Sequence, residues 1–207
     1  MAAGTIGAMD PSDSLQRALV GQCDRLVAKL DGLGEYDVRR PLTPTGTNLL
    51  GLVKHVASIQ LGYLGDCFGR RSGIPLPWYD EATADPDLDG DMWVTAEESR
   101  EDVLGLMRAS SAHAAATLAE LPLDTVGEVA WWPEARRHPT LHHVALHLIV
   151  DVAGHAGHAD ILRELLDGAA GYRPGNTNLP DRDADAWSAF SARIESAARE
   201  AAGMPPA

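Results

Sequence analysis

Apolar residues recur along this chain with the spacing of α-helices, and almost no stretch shows the alternation typical of a β-strand. The helical pattern covers residues 13–30, 45–68, 95–118 and 140–167, with a shorter and less apolar segment at 185–199. Two long loops without periodicity separate the middle segments. The pattern therefore predicts an all-α protein, a four-helix bundle with long crossover loops and a short C-terminal helix.

Capping residues and glycines mark the expected ends of these helices. Thr45 or Thr47 can cap the second helix, and Thr95 with Glu98 has the spacing of a capping box for the third. Gly168 supplies the left-handed residue that ends the fourth helix.

The length of 207 residues suits one domain with a sizeable core. We expect that domain over residues 12–200, preceded by a flexible N-terminal arm at 1–11 and followed by a disordered tail at 201–207.

The net charge of −13 argues against binding to nucleic acid or to an anionic membrane surface, since both would repel the protein. No run of about 18 apolar residues predicts a membrane span, and the first residues do not resemble a secretion signal. The two cysteines are too few for a disulfide framework and suit a reducing compartment. We therefore expect a cytoplasmic protein whose partners are small molecules.

Histidines are concentrated in one part of the chain, with six of the eight between positions 138 and 158. At about 100° per residue, His147, Asp151, His155 and His158 share one stripe of the fourth helix with several apolar residues. The stripe is therefore expected to face the core. Burying such groups costs several kcal/mol unless each has a partner, and a divalent metal is a suitable one.

The best candidate ligands are Asp151 and His155, which project from one helix face at an i, i+4 spacing. His55, at the edge of the apolar face of the second helix, is the candidate third ligand. Two histidines and a carboxylate would leave coordination positions open and favour Zn²⁺, with Fe²⁺ or Ni²⁺ as alternatives. Ordinary core histidines are the competing interpretation.

Tryptophans in the loops, Trp78, Trp131 and Trp132, can line a substrate pocket or pack the loops on the bundle. Cys67 lies about 120° around the second helix from His55 and is assigned to packing. The remaining histidines are assigned to surface or loop positions, namely His113, His138, His142 and His143.

Segments 45–56 and 151–164 resemble the DinB-like superfamily, and within it the mycothiol-dependent maleylpyruvate isomerases and S-transferases. The similarity extends over about residues 15–179. It implies a four-helix bundle and a metal held by His55, Asp151 and His155. Asp151 departs from the Glu or His usual there, and His158 stands where many relatives have Gln.

The resemblance and the histidine stripe together suggest a metal-dependent S-transferase. A mycothiol-like thiol would become a metal-bound thiolate and attack a small electrophile, with His158 or His147 taking the proton. Trp78 and Trp132 are the predicted substrate-binding residues. Two alternatives stay open, a non-haem Fe(II) oxygenase or hydrolase with the same ligands, and a non-catalytic metal- or ligand-binding stress protein. A homodimer is compatible with the weakly apolar last helix.

Overall fold

The structure is a computed structural model that describes residues 10–80, 89–173 and 175–205. The first nine residues of the expected N-terminal arm and the last two of the expected tail lie outside these ranges.

Helices account for nearly all the regular structure of the described residues, and no strand is present among them. The α-helices are α1 (Pro11–Ala28), α2 (Glu35–Arg39), α3 (Leu49–Leu64), α4 (Arg100–Glu120), α5 (Leu141–Asp167) and α6 (Ala184–Ala201). Short 3₁₀ turns occur at Asp66–Phe68, Pro77–Tyr79 and Glu134–Arg136. The predicted all-α class is confirmed. None of the described helices is both long and apolar enough to cross a bilayer.

The four long helices α1, α3, α4 and α5 form the bundle. α3 packs against both α4 and α5, and α1 packs against α4 and α5 from the other side. α3 is the most deeply buried of these helices, because it is apolar on nearly all sides. The leucine stripe expected on the first helix is buried in this core, at Leu15, Leu19, Leu26 and Leu30.

The start of α3 differs from the prediction, because neither Thr45 nor Thr47 caps it. Asn48 is the N-cap, and its side-chain oxygen accepts a hydrogen bond from the Gly51 amide at 2.7 Å. Both threonines lie in the preceding turn, where Thr47 donates its amide to the Thr43 hydroxyl. The preceding short helix α2 was not predicted from periodicity because it has only five residues.

The start of α4 also differs, since Ser99 and Asp102 form its capping box four residues after the predicted one. Glu98 instead bonds the Thr95 amide at 2.9 Å and pairs with the buried Lys54 ammonium at 2.8 Å. A tertiary ion pair therefore holds the carboxylate that the sequence pattern assigned to a helix cap.

Candidate metal centre

The histidine stripe of α5 lies at the border of the core, so the expectation that all of it faces the core is wrong. His147 and His158 are exposed, whereas Asp151 and His155 are half-buried. The buried side of α5 is centred near Leu148 and Val152, which lie roughly 100° or more around the helix axis from His147. The stripe therefore runs from the bundle interior out to solvent.

The three candidate ligands are nevertheless brought together where α3 faces α5. His55, Asp151 and His155 each offer a ligand atom within 4.8 Å of the others. The rings of His55 and His155 have their centroids 4.7 Å apart at an angle of 71°, and His155 Nε2 lies 3.6 Å from an Asp151 oxygen. All three side chains are half-buried, as an accessible metal site requires.

The chemistry of His155 fits a metal ligand. Its Nδ1 is buried and has no hydrogen-bond partner among the described residues. Burial, and then the neighbouring charge of His55, hold the pKa of His155 below its ordinary value despite the opposing effect of Asp151. The imidazole therefore stays neutral near pH 7, which is the form that binds metals.

Asp91 is the residue of this centre that sequence reasoning missed. Its carboxylate accepts hydrogen bonds from His55 Nδ1 at 2.6 Å and from the Tyr79 hydroxyl at 2.7 Å. Burial acts to raise the pKa of Asp91, but these two hydrogen bonds outweigh it and keep the pKa below the ordinary value. An ionised Asp91 fixes the proton of His55 on Nδ1 and leaves Nε2 free to bind a metal.

No pattern around Asp91 distinguishes it from the other acidic residues of its loop. Its position depends on how that loop folds over α3.

A cavity of about 430 Å³ lies beside α3 and begins at Ser58 and Ile59, about one helical turn after His55. It is lined by Ser58, Ile59, Gly62, Tyr63, Asp66, Tyr79 and Trp131.

The Tyr63 hydroxyl organises the aromatic wall of this cavity. It accepts hydrogen bonds from the indole nitrogens of Trp131 at 3.2 Å and of Trp132 at 3.4 Å. The wall is mostly apolar and aromatic, which suits an organic ligand.

The remaining predicted site residues, Trp132, His158 and Trp78, lie at different distances from the candidate ligands. Trp132 packs on His147 with ring centroids 4.9 Å apart, and His158 lies beside His155 at 5.9 Å. Trp78 is not brought to the histidines but covers the Lys54 ammonium at 4.0 Å.

His113 was expected at the surface, but it is half-buried within α4. One of its ring nitrogens hydrogen-bonds the Arg70 carbonyl at 2.6 Å. Cys67 is buried, as its assignment to packing implied, and the pKa of its thiol is raised to about 11 by burial and nearby carboxylates.

Comparison with known proteins agrees with this architecture. A solved structure described as the conserved protein of locus from Enterococcus faecalis has a TM-score of 0.58 with this chain at 18% identity. The match covers 78% of this chain and 100% of that one, and it shows a shared fold. No curated protein matches the sequence. Residues 14–168, most of the chain, match the family described as mycothiol-S-transferase. The chain therefore belongs to the mycothiol S-transferase family.

Proposed function

We propose that this protein is a metal-dependent thiol S-transferase that joins a mycothiol-like thiol to a small electrophile. The observation that best supports this proposal is the convergence of His55, Asp151 and His155 near an aromatic cavity in a member of this family. The proposal needs a place for a metal and a place for an organic substrate. Both are available on the same side of α3.

His55, Asp151 and His155 would hold the divalent metal, for which we favour Zn²⁺ over Fe²⁺ or Ni²⁺. When bound, such an ion lowers the pKa of a thiol that coordinates it, so that the sulfur is nucleophilic near neutral pH. Asp91 serves this site by orienting His55 through one hydrogen bond, and the Tyr79 hydroxyl holds the Asp91 carboxylate through another.

The cavity along α3 is the proposed place for the organic substrates. Tyr63 and Trp131 provide flat apolar surfaces, and Asp66 offers an acceptor for a hydroxyl or ammonium group. The cavity begins about one helical turn beyond His55, so a ligand held there would have its reacting atom near the candidate metal centre.

His158 and His147 are the proposed acceptors of the thiol proton. Both are exposed and border the centre, so either can pass a proton on to water. His147 also packs on Tyr63 and Trp132, which places it at the edge of the proposed substrate cavity.

The test combines metal analysis with a thiol-transfer assay. Protein purified without a metal-affinity column is analysed by mass spectrometry, and mycothiol consumption is followed with a small fluorogenic electrophile. We expect about one metal per chain, and loss of both metal and transfer in His155→Ala. His142→Ala is the matched control, because His142 lies on the same helix and is exposed.

Retained transfer in a metal-free His155→Ala protein would contradict the proposal. Two histidines and one carboxylate also form the iron site of non-haem oxygenases. Bound iron together with thiol-independent O₂ consumption would therefore favour an oxygenase over an S-transferase. A stoichiometric metal without thiol-dependent turnover would favour a metal-binding stress protein.

A further inference from the structure

Helix α5 carries a second apolar surface on the side away from the bundle. Leu146, Val150, Ile161 and Leu165 are 45%, 71%, 59% and 75% exposed. At about 100° per residue, these residues and the glycines at 154 and 157 lie within an arc of about 100°. We call these six residues the outer face of α5. Continuous exposed apolar surfaces of this kind mark interaction sites.

The centre of the outer face is open and flat. A Cβ added at Gly154 or at Gly157 would meet no atom within 4 Å. Glycines at the middle of an exposed helix face allow another helix backbone to approach closely, near the lower end of the 8–10 Å range of interaxial distances. Nothing else in the described fold requires glycine at these two positions, and each costs helix stability of about 1 kcal/mol relative to alanine.

The spacing along the outer face is symmetric about the peptide bond between residues 155 and 156. The six positions follow one another at intervals of 4, 4, 3, 4 and 4 residues. When a second copy of α5 lies antiparallel across this point, Leu146 of one copy is level with Leu165 of the other. Val150 is then level with Ile161, and glycine is level with glycine. A two-fold interface requires this kind of self-complementary surface.

Charge limits where a second copy could bind. Two chains of net charge −13 repel each other, so a surface shared by two copies must be poor in charge, and Glu164 at the edge of this arc is the one Asp, Glu, Lys or Arg that residues 146–165 place in it. The apolar side of α6 is a poorer choice, because Arg182 and Arg193 already cover the Phe190 ring at 4.3 and 5.2 Å. The outer face of α5 has no comparable cover among the described residues.

We propose that the outer face binds a second copy of this chain, with α5 packed antiparallel on α5 about a two-fold axis near residues 155 and 156. The interface lies beside exposed His147 and His158, so it borders the candidate metal centre. It does not depend on the proposed S-transferase activity.

The first test is the mass in solution, measured by sedimentation and light scattering over a range of concentrations. We expect a dimer for the unaltered chain and a monomer for Val150→Lys and for Ile161→Lys. Ile194→Lys is the matched control, since Ile194 is a 55% exposed aliphatic residue on α6, and it should remain a dimer. Circular dichroism and melting establish that each variant is folded. A monomeric unaltered chain, or a dimer that persists in both α5 variants, would overturn the proposal.

The second test fixes the direction of packing by disulfide formation. The double variant Val150→Cys/Ile161→Cys should form an intermolecular disulfide on oxidation, whereas each single variant should not. In the antiparallel arrangement the two 150 positions are separated by 11 residues, or about 16 Å along the axis, which is too far for a disulfide. Cys23 and Cys67 are buried, and the unaltered chain controls for them. Efficient cross-linking of Val150→Cys to itself would overturn the antiparallel arrangement.

Discussion

The carboxylate of Asp91 lies 2.6 Å from Nδ1 of His55 and joins the loop before α4 to the candidate metal centre on α3. Asp91 is only 9% exposed, so the interaction is shielded from solvent. A carboxylate in this position orients a metal-binding imidazole and raises its basicity. The loop is therefore part of the centre, although none of the candidate ligands belongs to it.

Three α3-side contacts hold this loop in place. Asn48 donates its side-chain amide to the Met92 carbonyl at 3.1 Å, and Lys54 donates to the Trp93 carbonyl at 3.0 Å. Between them, Gly51 allows the Met92 backbone to lie directly on the helix, where a larger residue would overlap it. These contacts are spaced three residues apart and so lie along one side of α3.

Replacement of Asp91 by Asn should weaken metal binding by about 10-fold or more, because His55 loses its charged orienting partner. The affinity is measured by competition with a chromophoric chelator at neutral pH. Asp89→Asn is the matched control, since this nearby carboxylate is exposed and its positive φ of 41° suits Asn. Equal affinities in the two variants would show that the Asp91–His55 hydrogen bond does not support the centre.

Gly51→Ala should both destabilise the protein and weaken metal binding, because a Cβ at this position overlaps the Met92 carbonyl and displaces the loop that carries Asp91. Overpacking of this kind typically costs about 1–3 kcal/mol. Denaturant unfolding and chelator competition give the two values. Gly21→Ala on α1 has open space around its Cβ and should be neutral or more stable. Normal metal affinity in a destabilised Gly51→Ala protein would show that the position of this loop does not affect the candidate metal centre.

Stability of the metal-free protein should fall as the pH drops below about 6.5. Burial and the adjacent His55 lower the pKa of His155 in the folded protein from its ordinary 6.5, so the unfolded chain takes up this proton first. The free energy of unfolding therefore decreases from pH 6.5 down to the folded pKa and is unaffected by this group above 6.5.

Urea unfolding of the chelator-treated protein at several pH values measures this dependence. His155→Gln should reduce the loss of stability below pH 6.5, whereas the same change at exposed His142 should leave it intact. An unchanged loss of stability in His155→Gln would show that another group is responsible.

Removal of the Tyr63 hydroxyl should impair substrate binding more than turnover. In Tyr63→Phe the indoles of Trp131 and Trp132 lose their shared acceptor, at a cost of about 1 kcal/mol for each lost bond. If the cavity binds substrate, KM in the thiol-transfer assay should rise several-fold with a smaller change in kcat. Tyr36→Phe, at a 76% exposed position, is the control. An unchanged KM would place the substrate elsewhere.

Local geometry explains which parts of the site could be predicted. The i, i+4 spacing of Asp151 and His155 places both on one side of any helix, whatever its surroundings. The partner His55 could be proposed because it lies near the apolar face that must meet another helix. The exposure of His147 and His158 could not be predicted, since periodicity defines a stripe on the helix but not where the core begins.

The contacts of loop residues could not be predicted from local geometry in this way. Trp78, a predicted substrate-binding residue, covers the Lys54 ammonium, whereas its neighbour Tyr79 reaches Asp91 and lines the cavity beside α3. A loop has no repeating geometry, so one residue cannot be favoured over the next from spacing alone.

The amino-acid sequence by itself determined the helices, their apolar sides and the pairing of Asp151 with His155, because these depend on interactions within a few residues. Only the tertiary structure decided that His55 reaches that pair, that Glu98 binds Lys54 instead of capping α4, and that Asp91 orients His55. Those contacts join residues far apart in the chain, and their free energy depends on burial and packing that exist only after the helices and loops have come together.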